Sequence, residues 1–257
     1  MQKLFLILSF LFLGLCAKAQ WCFVPADGIV TWDRDVVNLR NTALQASQQL
    51  RPHPISASLT QLKELEEAWI KASKKAPAEE LSFSAVNRFN LSAQLLSLTA
   101  DSRYALDMEQ LIYGPLLQCA TTPQMSAEKV VCAQTLLNAL GTVLATKGDS
   151  LYVNFYTNST ALIASNGEEM QLDIITGMPF HERVKIRFTR MTSTQGVKQT
   201  ICIRLPQGVW NDKTLPIYCN GHDTPYKVEN GYAIITNTWR PGFEIYFDLP
   251  QPLLELR

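Results

Sequence analysis

The 257-residue sequence predicts an α+β protein, with a helical layer of about five helices over residues 20–147 followed by an antiparallel β-sandwich over residues 148–257. Two observations carry this. From Asp35 to Thr146 the apolar residues recur three to four positions apart, the period of an amphipathic helix. At Lys147-Gly148-Asp149 the period falls to two, and short alternating runs are separated by turn dipeptides to the end of the chain.

Residues 1–19 read as a secretory signal ahead of both parts. Lys3 supplies the positive start, Leu4 to Leu15 the apolar run, and Ala17-Lys18-Ala19 a small-x-small cleavage site. Cleavage after Ala19 makes the expected protein secreted or periplasmic. A lipoprotein anchored through Cys16 is the lesser alternative, because Leu15 before it is bulky. The apolar run is shorter than the ~20 residues that span a bilayer, so no membrane span is expected. Charge is balanced, 23 basic residues against 23 acidic, without a Lys/Arg block. That pattern lacks the electrostatic footprint of a nucleic-acid partner.

The helices follow in order. Asp35 to Leu50 spaces Val36, Leu39, Leu44 and Leu50 among polar residues, and Pro52 and Pro54 stop it. Ser58-Leu59-Thr60-Gln61 is a capping box opening Leu59 to Lys75, whose stripe is Leu62, Leu65, Trp69 and Ile70. Phe83 to Thr99 and Ser102 to Leu117 flank a break at Ala100-Asp101. The fifth runs from Ser126 to Thr146 with Val130, Ala133, Leu137, Leu140 and Leu144 inward.

The strands follow at Leu151–Tyr156, Gln171–Ile175, Arg183–Thr189, Thr200–Leu205 and Glu244–Leu249. Asn220-Gly221 and Asn230-Gly231 are hairpin turns, because two-residue loops require positive φ. Without Cys16, five cysteines are left. Alternation points Cys202 and Cys219 to opposite sheet faces, which argues against pairing them. Cys119 with Cys132 is the expected bridge, and buried free thiols are an equal alternative. Cys22 stands apart in the N-terminal stretch. No CxxC or His/Cys cluster marks a metal site.

Leu151-Tyr152-Val153-Asn154-Phe155-Tyr156, Met178 through Ile186, and Gly231-Tyr232-Ala233 through Trp239 to Leu249-Pro250 resemble the rear of the family 127 glycoside hydrolases, bacterial β-L-arabinofuranosidases. The resemblance extends upstream through Leu98-Thr99-Ala100-Asp101-Ser102-Arg103-Tyr104-Ala105 and Glu109 to Tyr113. It implies that the helical layer is a remnant of an α/α barrel, too few helices to close the ring. It also implies a zinc held by one glutamate and three cysteines, one of them the nucleophile. The implied Glu-x-Cys position reads Leu81-Ser82-Phe83 here, and the implied adjacent cysteines read Val131-Cys132. Shifting the register by one brings Glu80 to the first position but leaves Ser82 where a thiolate is required. Zinc of this kind needs soft thiolate ligands, so no cofactor, metal ligand or catalytic residue is expected.

Other chemistry is sparse. A conventional glycosidase sets two carboxyls about 5 to 9.5 Å apart. Glu64, Glu66, Glu67, Glu79 and Glu80 are dense, but Glu64 and Glu67 lie at helical spacing among Lys63, Lys71 and Lys74, which predicts a solvated helix face. His53, His181 and His222 fall in separate turn-like contexts without a nucleophile beside them. Among the five tryptophans, Trp69 and Trp239 read as core. Trp21 and Trp32, in the loop-rich N-terminal stretch, and Trp210, in the Pro206–Asp212 loop, are the candidate ligand-binding residues, because sugar rings stack on indole faces. For Trp210 a plug at the sandwich edge is the leading alternative, and for Trp21 and Trp32 core and exposed readings are even. The expected role is that of an exported, non-catalytic, carbohydrate-associated protein, with its helical face a candidate surface for a protein partner. Two alternatives stay open: an active arabinose-directed glycosidase with a rearranged or partner-completed site, and a structural or assembly protein.

Overall fold

The computed structural model describes residues 59–74, 82–123, 126–147, 149–165, 168–177, 181–206 and 215–249. The signal segment, the Asp35–Leu50 helix, the Ser58 cap, His53, Glu79, Glu80 and all three candidate tryptophans (Trp21, Trp32 and Trp210) lie outside these residues.

The helices are α1 (Leu59–Ala72), α2 (Ser82–Thr99), α3 (Ser102–Leu111), α4 (Leu117–Thr121) and α5 (Ala127–Leu140), with a π-helical segment, Ile112–Leu116, joining α3 to α4. The expected break falls at Ala100, which takes a left-handed backbone (φ 54). Asp101 then caps α3, its carboxylate accepting from the Arg103 N–H at 3.0 Å. The π segment has a local cause: Pro115 lacks an N–H, and Gly114 ahead of it leaves the helical region at φ −100, ψ −110.

Helix α5 differs from expectation in length and in face. It stops at Leu140, and Leu144 opens a strand instead of closing the helix. Its buried residues are Lys129, Cys132, Thr135 and Ala139, whereas Val130 is 56% exposed. The inward stripe is therefore rotated from the one apolar spacing suggested. A disulfide from Cys132 to Cys119 at the end of α4 fixes that rotation, with the Cα atoms 6.2 Å apart. Lys129 lays its stem inward and donates from Nζ to the Thr122 carbonyl just past α4, a cation at a helix C-terminus. On α1, Ile70 likewise falls off the stripe and is 55% exposed.

Eleven strands follow among the described residues. Sheet A contains β1 (Leu144–Lys147), β2 (Ser150–Val153), β6 (Val197–Arg204), β10 (Tyr232–Trp239) and β9 (Lys227–Glu229), in that spatial order. Sheet B contains β3 (Ser159–Ser165), β4 (Glu168–Thr176), β5 (Arg183–Met191), β11 (Glu244–Asp248), β7 (Tyr218–Cys219) and β8 (His222–Asp223). The sandwich is not wholly antiparallel, because β2 and β6 pair in parallel from Ser150 with Thr200 to Val153 with Ile203. Both Asn-Gly turns form as expected, with φ of 50 and 83 at Asn220-Gly221 and 50 and 77 at Asn230-Gly231. Leu172, Ile174, Val184, Ile186, Phe188, Ile245 and Phe247 turn inward from sheet B, each at most 1% exposed. Phe188 stacks on Trp239 of sheet A with ring centroids 4.7 Å apart.

The described residues group into two compact units. One holds the helices up to Thr142 together with Val228–Tyr232; the other holds Val143–Lys227 and the chain from Ala233. Within the helical unit, the Asn230 carbonyl accepts the Ser102 N–H at 2.9 Å, satisfying a first-turn donor of α3.

On the outward side of sheet B, Arg183 holds Asp248 through two bonds of 2.7 and 2.8 Å, and Lys185 and Arg187 share Glu244 at 3.0 and 2.6 Å. The hydrogen bond from Lys185 holds the Glu244 carboxyl below its ordinary range, against the opposing effect of burial and with a lesser contribution from Arg187. Arg183 does the same for Asp248. Carboxyls depressed in the folded state bind fewer protons there than when unfolded, so the pairs stabilise the fold above the ordinary carboxyl range of about pH 4 and cease to do so as pH falls below it. These side chains are exposed or half-exposed, so solvent screening keeps the contribution of each pair small. Urea midpoints should therefore fall on acidification below about pH 4.5, and Glu244→Gln should flatten that decline. An unchanged acid slope in the variant would refute the assignment.

Candidate functional site

Chemistry-bearing side chains converge in the helical unit. Helix α1 contributes Glu66 and Trp69, three apart; α2 contributes Arg88 and Ser92, four apart; α3 contributes Arg103, Tyr104 and Asp107. Spacings of three and four place each set on one helix face.

The inner end of this cluster is saturated. Asp107 is 4% exposed, as is Arg88, and the two form a buried ion pair. Oδ2 of Asp107 accepts from Arg88 Nε at 3.1 Å, Ser92 Oγ at 2.7 Å and Trp69 Nε1 at 3.0 Å, while Oδ1 accepts from the Arg88 Nη2. A buried carboxylate filled in this way ties three helices together and has no capacity left for a substrate.

The outer end is open. Arg103 Nη2 donates to Glu66 Oε1 and to the Tyr104 hydroxyl, both at 2.7 Å, and Tyr104 donates to the same Glu66 oxygen at 2.9 Å. Arg103 Nε also pairs with Asp101 at 3.0 Å. The guanidinium lies 4.7 Å from the centre of the Tyr104 ring, which meets Trp69 edge-on at 5.0 Å. Burial, then the bond to Glu66, pushes the Tyr104 phenol far above its ordinary value, so it stays a donor at every physiological pH. Glu66 and Arg103 keep 34% and 45% of their side-chain surface exposed.

Glu66 turns to Arg103 across 37 positions of sequence, whereas Glu64 and Glu67 are exposed as anticipated. Trp69 is half-buried, and its N–H is used by Ser92 and Asp107. Arg88, Ser92 and Asp107 were not singled out from the sequence. The signal available was an opposite-charge pair set among the apolar faces of two neighbouring helices, beside Phe89 and Met108. His181 and His222 are both exposed.

The thiols offer little chemistry. Cys202 and Cys219 are outside any disulfide. Burial raises the Cys219 thiol, against a weaker effect of the Asn237 amide at 4.0 Å, which makes it a poor nucleophile. Among the described residues, no three His, Cys, Asp or Glu side chains gather as a metal site. No described helix is long and apolar enough to cross a membrane.

A helical unit and a unit of two β-sheets define the class, and comparison with known proteins refines it. Residues 150–251 match the family model for the β-L-arabinofuranosidase GH127 middle domain. Ara127N, a GH127 β-L-arabinofuranosidase from Geobacillus stearothermophilus T6, is similar at 17% identity with a TM-score of 0.55, over 68% of this chain and 32% of that one. A second GH127 β-arabinofuranosidase is similar at 18% identity and a TM-score of 0.56, over 66% and 32% of the two chains. A structure described as a glycoside hydrolase gives 18% and 0.53, over 68% and 34%. The chain spans about a third of the length of these proteins. No curated protein matches it. The resemblance read from the sequence holds over residues 150–251, and the fold is similar to that of these structures over about two thirds of the chain.

The residues present do not fit the zinc that the resemblance implies. Cys132, the one cysteine at an implied ligand position, is covalently paired with Cys119 and has Val131 beside it. At the other position, Ser82 and Phe83 begin α2. Removing the disulfide by Cys119→Ser should destabilise the helical unit by about 3 kcal/mol, the loop-entropy value for a separation of 13 residues. The check is urea unfolding followed by helical circular dichroism; a loss indistinguishable from zero would mean that the bridge does not form.

Proposed function

We propose that this is an exported, carbohydrate-associated protein that keeps a glycoside-hydrolase scaffold without its hydrolytic chemistry. One observation carries the reading: Cys132 is held in a disulfide. A sulfur bonded to another sulfur is neither a thiolate ligand nor a nucleophile. The relatives are described as arabinofuranosidases, so arabinose-containing glycans are the first ligands to test. A disulfide also accords with an oxidising destination, which supports the export read from residues 1–19.

Titration calorimetry of the purified chain against arabinan-derived and other arabinose-rich oligosaccharides should give saturable heat. Incubation with the same sugars, with and without added zinc, should release no reducing ends. Sugar release would overturn the non-catalytic half of the reading. Absence of heat across a broad glycan panel would overturn the carbohydrate half.

A further inference from the structure

We propose that the open end of the Glu66–Arg103 cluster is a binding subsite for two adjacent hydroxyls of a neutral sugar. The inference rests on the carbohydrate reading above and gives it a location. Among the described residues, Glu66 Oε1 is filled by Arg103 and Tyr104, whereas Oε2 carries no hydrogen bond. Arg103 uses Nη2 and Nε, and its Nη1 is unengaged. An acceptor and a donor are therefore left over on two side chains that a 2.7 Å ion pair joins and that keep 34% and 45% of their surface exposed. Vicinal hydroxyls match that pair, one donating to the carboxylate and its neighbour accepting from the guanidinium.

Both groups are already held in place. Arg103 is fixed by Asp101, Glu66 and the Tyr104 hydroxyl and lies over the Tyr104 ring. Tyr104 itself is 0% exposed, and Trp69, against its edge, is anchored inward through Ser92 and Asp107. A ligand meeting these groups orders few side chains on binding. With its N–H directed inward, Trp69 presents ring carbon, the surface that packs against sugar C–H groups. Charge selects the ligand class. Glu66 and Asp101 outweigh Arg103, and Arg88 cancels Asp107, so the cluster is locally negative and disfavours uronates and other anions.

The test is calorimetry on the full chain with α-1,5-linked arabino-oligosaccharides, using L-arabinose and its 2-deoxy counterpart as soluble competitors. Glu66→Gln and Arg103→Met should each weaken binding by about tenfold or more, the range for a hydrogen bond to a charged group. Glu64→Gln, exposed on the same helix, should leave it unchanged. The unaltered chain should favour L-arabinose over the 2-deoxy sugar, and Glu66→Gln should lose that preference while keeping its melting temperature. Binding that survives in Glu66→Gln and Arg103→Met, or that Glu64→Gln weakens equally, overturns the subsite and leaves the carbohydrate reading standing. No binding by the unaltered chain overturns both.

Discussion

Asp107→Ala should destabilise the helical unit by about 3–5 kcal/mol, the cost of leaving a buried charge without its partner. Arg88 is 4% exposed and lies within a hydrogen bond of Asp107 through two of its nitrogens. Ser92 and Trp69 lose their shared acceptor oxygen in the same variant. Urea unfolding read by helical circular dichroism measures the loss. The partner experiment separates pairing from packing. Arg88→Met with Asp107→Leu removes both charges and keeps apolar volume, so the double variant should recover most of the stability. A double variant as damaged as Asp107→Ala would show that the ion pair is not the source of the loss.

The second large effect lies in the β unit. Trp239→Ala should cost about 3–5 kcal/mol, the usual range for deleting a buried aromatic. Trp239 is 0% exposed, stacks on Phe188 of the facing sheet, and donates from Nε1 to the Gln199 carbonyl at 2.8 Å. Trp239→Phe keeps a ring against Phe188 but leaves that carbonyl unpaired, so it should lose distinctly less than the alanine variant. Denaturation followed by β-sheet circular dichroism distinguishes them. Equal losses for phenylalanine and alanine would place the energy in the hydrogen bond and not in the stacked ring.

Local chemistry made several elements readable from the sequence. Asp101 is a helix-capping residue, and Asn-Gly dipeptides accept the positive φ of a tight hairpin, so the α2/α3 break and both turns were placed correctly. Strand β3 was missed because both of its faces carry small or apolar residues, Ala161 and Ile163 on one and Leu162 on the other, so alternation gives no signal. The rotation of α5 was missed for a different reason. Apolar spacing favoured Val130, but a covalent link to Cys119 and the reach of Lys129 toward Thr122 decided which side faces inward. The parallel β2–β6 pair was hidden because alternation is the same for either strand direction.

The candidate site was less legible than the fold. The tryptophans chosen from the sequence lie outside the described residues. Glu66 resembled its solvated neighbours until Arg103 and Tyr104 came beside it.

The sequence by itself determined the fold class, the passage from helices to strands and the resemblance of the β half to GH127, and it showed too few cysteines at the implied positions to hold zinc. Period, turn dipeptides and residue identity are local properties, and they need no knowledge of distant neighbours. Only the tertiary structure decided that Cys132 is joined to Cys119, that Asp107 is saturated, and that Glu66 and Arg103 share an open edge. Those facts depend on residues 13 to 38 positions apart meeting in space, and their pairing energies exist only once the helices have packed.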